Sequence, residues 1–126
     1  MKEFMFFIRK QVDSKETLSP VKHNAFLKSC ETYIEKLKKE GRLISAQPIE
    51  RSGEILSLSD GEWDKTPFNE AKEVIGGYYR ILAENMDEAI SIAMKNPEFE
   101  YNPGTRIEVR PIKMKEETTG FVYPAK

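Results

Sequence analysis

Residues 74–83 read Val74-Ile75-Gly76-Gly77-Tyr78-Tyr79-Arg80-Ile81-Leu82-Ala83, and the fold turns on how this stretch is read. Apolar and aromatic side chains stand at both odd and even positions. A strand with one wet face would alternate more cleanly, so this one is expected to be covered on both sides. One other stretch has the same character. Glu3 to Lys10 puts Phe4, Phe6 and Ile8 on one side and Met5, Phe7 and Arg9 on the other. Two doubly apolar strands belong in the middle of a sheet. Leu43 to Glu50 and Arg106 to Ile112 supply two further strands.

Helices fit between these strands. Ser19 and Pro20 open the first, with serine as N-cap and proline at the first helical position. Phe26, Leu27, Cys30, Tyr33, Ile34 and Leu37 recur at helical spacing, and Gly41 ends the run. Asn85 caps the second helix, with Glu88 placed for a capping box. Met86, Ala89, Ile90 and Ala93 form its expected buried stripe, and Asn96-Pro97 stops it. Ile55 to Leu58 is expected to pair with the end of the second strand through a turn at Ser52-Gly53. Ser59 to about Lys72 reads as a charged, turn-rich loop. The tail from Met114 carries Phe121, Val122 and Tyr123 and is expected to pack on the body or on a partner chain.

The resulting order predicts an α+β chain of ferredoxin-like βαββαβ type with an antiparallel sheet. Two helices cover only one sheet face. A second copy of the sheet is the simplest cover for the other, which predicts a homodimer with face-to-face sheets.

Composition narrows the function classes. The chain has 126 residues, 39% of them hydrophobic and 33% charged, and 20 basic residues balance 21 acidic ones. That is one domain, too apolar to be disordered and without the positive excess that nucleic-acid binding requires. One cysteine, Cys30, excludes an internal disulfide and any multi-cysteine metal site, and suits a reducing cytoplasm. The apolar run Phe4 to Ile8 is too short for a signal peptide or a membrane helix. No phosphate-binding glycine loop, nucleophile elbow or zinc spacing is present. No cofactor or metal is therefore expected.

Candidate site residues follow from strand alternation. If Phe6, Ile8, Tyr79, Ile81, Ile107 and Val109 face the helices, then Arg9, Tyr78, Arg80, Glu108 and Arg110 face the other way. Such a set lines a cleft for a small acidic or phenolic ligand, because guanidinium groups hold carboxylates bidentately. The alternative is a structural salt-bridge network across an interface. His23, the sole histidine, is the natural general acid or base; the alternative is a solvated residue in a first helical turn. Cys30 lies among apolar helix residues and reads as packing. Asp60, Asp64, Glu70, Lys72 and Glu73 form a charged cluster, either catalytic or a solvated loop. Gly76-Gly77 inside a strand signals a bulge or a close backbone approach. Trp63 is a lid or a dimer contact.

These stretches also resemble a known family. Asp60-Gly61 is followed by Pro67-Phe68, Glu70, Lys72-Glu73 and Gly76-Gly77-Tyr78. Met86-Asp87-Glu88-Ala89 then opens a helix, and Glu108-Val109-Arg110-Pro111-Ile112 closes the domain. This is similar to the DGPF-domain branch of the YCII-related family, over roughly residues 2 to 113. The resemblance implies a dimeric α+β barrel, a domain over 1–113 and a C-terminal extension over 114–126. It raises Glu70 and Lys72 as site residues. Because Glu62 to Thr66 stand between Asp60-Gly61 and Pro67, either Asp60 or Asp64 matches the family aspartate. The wider family carries a His and an Asp on the first helix; the matching positions here are Cys30 and Lys39, with His23 two helical turns earlier. The expected function is small-molecule binding in a cleft of the dimer, with cofactor-free proton transfer of isomerase or lyase type as the reaction class. The alternative is a non-catalytic interaction or regulatory module. It gains weight because family members often occur beside sigma-factor-like regulators.

Overall fold

A computed structural model describes residues 1–11, 18–67 and 73–123. Among these the order is β1 (Lys2–Gln11), α1 (Pro20–Lys39), β2 (Leu43–Pro48), β3 (Ile55–Ser59), β4 (Glu62–Thr66), β5 (Glu73–Ala83), α2 (Met86–Met94), α3 (Glu98–Tyr101) and β6 (Arg106–Pro111). The main sheet runs β2-β5-β1-β6, and every neighbouring pair is antiparallel. This is the ferredoxin-like arrangement, with the two doubly apolar strands β1 and β5 in the centre.

One face of the sheet holds the core. Phe4, Phe6 and Ile8 of β1 meet Tyr79, Ile81 and Ala83 of β5 under Tyr33 and Leu37 of α1 and Ala89 and Ala93 of α2. Fully burying a side chain such as Phe6 or Ile81 contributes about 1.5–3 kcal/mol. The Tyr33 phenol donates to the Ile92 carbonyl at 2.7 Å, so its buried hydroxyl is satisfied. Its ring meets Tyr79 edge-on, 5.6 Å between centroids.

Local chemistry sets the helix ends. Ser19 Oγ accepts from the Lys22 amide at 3.2 Å, and Asn85 Oδ1 accepts from the Glu88 amide at 2.9 Å. The Glu88 carboxylate accepts from the Glu84 amide, one residue before the cap, and also pairs with Arg42 at the entrance to β2. The backbone bond first, then the guanidinium, holds the Glu88 carboxyl below its ordinary range. α2 is rotated from the expected stripe: Ala89 and Ala93 face inward, whereas Met86 and Ile90 are exposed. The small alanines let the helix lie close to β5.

One expectation needs correction. Ile55–Ser59 does not pair with β2. It pairs with Glu62–Thr66, which lies inside the stretch expected to be a loop, and the two form a separate hairpin. The reason is the Asp60-Gly61 pair. Both residues have positive φ, 50° and 79°, as a two-residue type I′ turn requires. The described part of the tail makes a local turn of its own. Lys115 bridges Val122, the Tyr123 amide reaches the Met114 carbonyl at 2.9 Å, and Phe121 and Val122 stay exposed.

The β1–β5 register has one irregularity that matters below. Ile8 pairs with Gly77 and Arg9 with Ile75, so Gly76 is an extra residue. A Cβ on Gly77 would lie 3.1 Å from the Gln47 carbonyl oxygen. The glycine pair thus provides both a bulge and a close approach, and the approaching backbone is that of β2.

Candidate functional site

The open face of the sheet is built in rows. Met5 lies between Arg80 and Arg110, Phe7 between Tyr78 and Glu108, and Arg9 between Ile75 and Arg106. The bulge at Gly76 reverses the alternation along β5. Val74 is therefore buried, whereas Ile75 is exposed and Glu73 reaches Arg9 on this face. The chain leaving β2 brings Ile49, and the hairpin base brings Ile55. Together these enclose an open cleft of about 570 Å³, lined by Met5, Phe7, Ile49, Ile55, Ile75 and Tyr78, with Val74, Arg9 and Glu73 completing its wall.

A charged network borders this cleft. Arg9 donates from Nε to Glu108 at 2.9 Å and from Nη1 to Glu73 at 3.1 Å. Arg106 holds Glu73 with two bonds, Nε to Oε2 at 2.8 Å and Nη2 to Oε1 at 2.7 Å, the fork geometry that makes guanidinium–carboxylate pairs strong. Arg110 lies 3.7 Å from Glu108. Among the described residues, three guanidiniums face two carboxylates, which leaves one positive charge in excess. Hydrogen bonding from Arg106, and then its charge and that of Arg9, hold the Glu73 carboxyl below its ordinary range.

The structure sorts the expected site residues into distinct places. Arg9 and Tyr78 line the cleft, and Glu108 and Arg110 join the network. Arg80 donates from Nε to Glu3 at 2.8 Å, one row away, and is not part of the cleft wall. Asp60 occupies the hairpin turn and Asp64 pairs with Ser57 in mid-hairpin; both are exposed, and neither reaches the cleft wall. Glu70 and Lys72 lie outside the described residues.

His23 is separated from the arginines altogether. It lies in the first turn of α1 and lines a second cavity, about 320 Å³, with Ile8, Phe26, Cys30, Tyr79 and Glu98 among its walls. The physical reason is that α1 covers the sheet face opposite Arg9. Tyr78 contributes to the walls of both cavities. In the second one Glu98 pairs with Lys10 at 3.2 Å and accepts from Asn102 Nδ2 at 2.7 Å. Burial, reinforced by Glu98, pushes the Cys30 thiol up to about 11, so it is protonated near neutral pH and acts as packing. Among the described residues, no three His, Cys, Asp or Glu side chains converge as metal ligands, and no helix is long and apolar enough to cross a membrane.

Alternation alone missed Glu73 and Arg106. Arg106 was legible: it stands two residues before Glu108 and four before Arg110 on one strand face. Glu73 was hidden by the bulge.

Comparison with known proteins gives a family and likenesses among solved structures. Residues 4–114 match the family model of the YCII-related domain. No curated protein matches the chain. Among solved structures it is similar to the 5-chloro-2-hydroxyhydroquinone dehydrochlorinase of Burkholderia phenoliruptrix AC1100, in complex with 2,5-dihydroxybenzoquinone. The identity is 19%, over 84% of this chain and 90% of that one, with a TM-score of 0.45.

Proposed function

The chain belongs to the YCII-related family, and from that premise we propose that it binds a small acidic or phenolic molecule in the open-face cleft of a homodimer. The observation that carries this reading is the cleft itself: about 570 Å³ of mainly apolar wall, bordered by a network with one guanidinium in excess. Met5, Phe7 and Ile75 suit an aromatic body. The surplus positive charge suits a carboxylate or phenolate, and the Tyr78 hydroxyl offers a hydrogen bond. A homodimer would cover the half-exposed apolar side chains of this face. The single, half-buried, protonated Cys30 fits a reducing cytoplasm.

Proton-transfer chemistry of isomerase or lyase type needs a general base within reach of the substrate. His23 is the only histidine and lines the other cavity. Catalysis would therefore belong to the helix-side cavity, and the open-face cleft is a binding site first. A second reading rests on the pairing within the network. Arg9 already has Glu73 and Glu108 as partners, as a purely structural interface in a non-catalytic interaction module would require.

A thermal-shift series with benzoate, 4-hydroxybenzoate and phenol separates the two. A ligand at one hundred times its Kd adds about 2.7 kcal/mol to the native state. Under the binding reading the midpoint rises with at least one probe, and the rise is lost in Arg9→Met and Tyr78→Phe. No rise with any probe would favour the interaction module.

A further inference from the structure

The β3–β4 hairpin stands off the body with an uncovered apolar face. Leu58 pairs directly with Trp63, and Leu56 lies two residues from Leu58 on the same side. These three are 57%, 71% and 62% exposed. A two-stranded hairpin alone is marginal in water and needs a surface to pack on. Its own sheet does not supply one, since only Ile55, at the base, joins the cleft wall.

Three observations point to a second copy of this chain as the occupant. First, Ile55 joins the wall of the chain's own cleft from the hairpin face opposite Leu56, Leu58 and Trp63, so the uncovered apolar face is turned away from its own sheet. Second, the hairpin tip is acidic, with Asp60 and Glu62, whereas the far edge of the sheet, β6, presents Arg106 and Arg110, whose side chains are 70% and 66% exposed. Third, the lengths agree. A five-residue strand spans about 17 Å, and three strand spacings from β2 to β6 come to about 14 Å. A hairpin rooted near β2 is thus long enough to cross a facing sheet to its β6 edge.

We propose that each hairpin crosses to the partner copy, lays Leu58 and Trp63 over the partner's cleft, and sets Asp60 and Glu62 against the arginines of the partner's β6. The ligand cleft is then completed in trans, with an indole as its outer wall. That geometry selects flat aromatic ligands over aliphatic acids of equal charge. The inference rests on the homodimer proposed above.

Trp63 is the only tryptophan, so its emission reports this contact alone. The experiment is a dilution series of the full chain, with mass by analytical ultracentrifugation and fluorescence with iodide quenching on the same samples. The expected result is a blue shift and at least a threefold loss of iodide quenching that track dimer formation. Leu58→Asp should raise the dimer dissociation constant at least tenfold, with the circular-dichroism spectrum unchanged. A dimer whose Trp63 stays fully quenchable would overturn the hairpin exchange and leave the homodimer standing. A monomer at all concentrations would overturn both. A Trp63 already shielded in the dilute monomer would place the hairpin on its own sheet and overturn the exchange.

Discussion

Phe4, Phe6 and Ile8 are almost inaccessible, while Met5, Phe7 and Arg9, each one position along the same strand, are only partly buried. The two faces of this sheet start from similar side chains. Their difference comes from what lies over them: α1 and α2 cover one face, and the described residues leave the other largely open. On the covered face the apolar groups become core. On the open face they become the floor of a cleft, and the charges between them pair along the sheet. A strand pattern therefore sets how much apolar surface each face carries, but not whether that surface serves stability or recognition.

The largest test of this contrast is a pair of truncations. Phe6→Ala should cost about 3–5 kcal/mol, as expected for a fully buried aromatic. Phe7→Ala should cost less than half as much in dilute protein, where the open face is wet. Urea unfolding measures both, and equal losses would break the comparison.

A smaller effect is expected at the bulge that decides which β5 residues face the cleft. Gly77→Ala places a Cβ 3.1 Å from the Gln47 carbonyl oxygen and 3.3 Å from Pro48 Cα, both backbone. It should destabilise by about 1–3 kcal/mol, the usual cost of overpacking. In Gly76→Ala the Cβ meets only the Lys10 side chain, at 3.0 Å, which is free to swing aside. Its cost should be clearly lower, and thermal unfolding of the two variants checks the order.

The smallest effect concerns the open-face charges. Arg106 chiefly, and then Arg9, lower the folded-state pKa of Glu73 from its ordinary 4.5. A depressed carboxylate stabilises the fold above its unfolded pKa, and that contribution is lost as pH falls through the folded value. Glu73→Gln should therefore lower stability at neutral pH and flatten part of the acid limb below about pH 4.5, where variant and wild type converge. Glu88 and Glu116, whose carboxyls are also lowered, contribute to the same limb. Midpoints measured across the acid range test this; an unchanged limb in Glu73→Gln would remove Glu73 from the account.

Much of the fold is legible in the chain because it rests on local rules. The caps at Ser19 and Asn85 and the doubly apolar β1 and β5 need only neighbouring residues to be recognised. So does the glycine pair at 76–77. The open-face set of Arg9, Tyr78, Arg80, Glu108 and Arg110 follows from counting by two. The hairpin is missed because two weak strands of five residues are outvoted by their polar surroundings, although Asp60-Gly61 marks the turn. Glu73 is named with the charged cluster, but its place on the open face is missed because one inserted residue reverses the parity of everything before it on β5. His23 is set apart from the arginines because no local rule says which sheet face a helix will cover.

Residue spacing by itself therefore determined the strand order, the helix ends and the partition of side chains between two faces. Those depend on periods of two and 3.6 residues that every chain obeys. Only the tertiary structure decided that Glu73 meets Arg9 and Arg106, that His23 belongs to a different cavity, and that Leu58 and Trp63 stand uncovered. Each of these depends on a register shift or on the side from which a distant element packs, and neither is encoded within reach of the residues concerned.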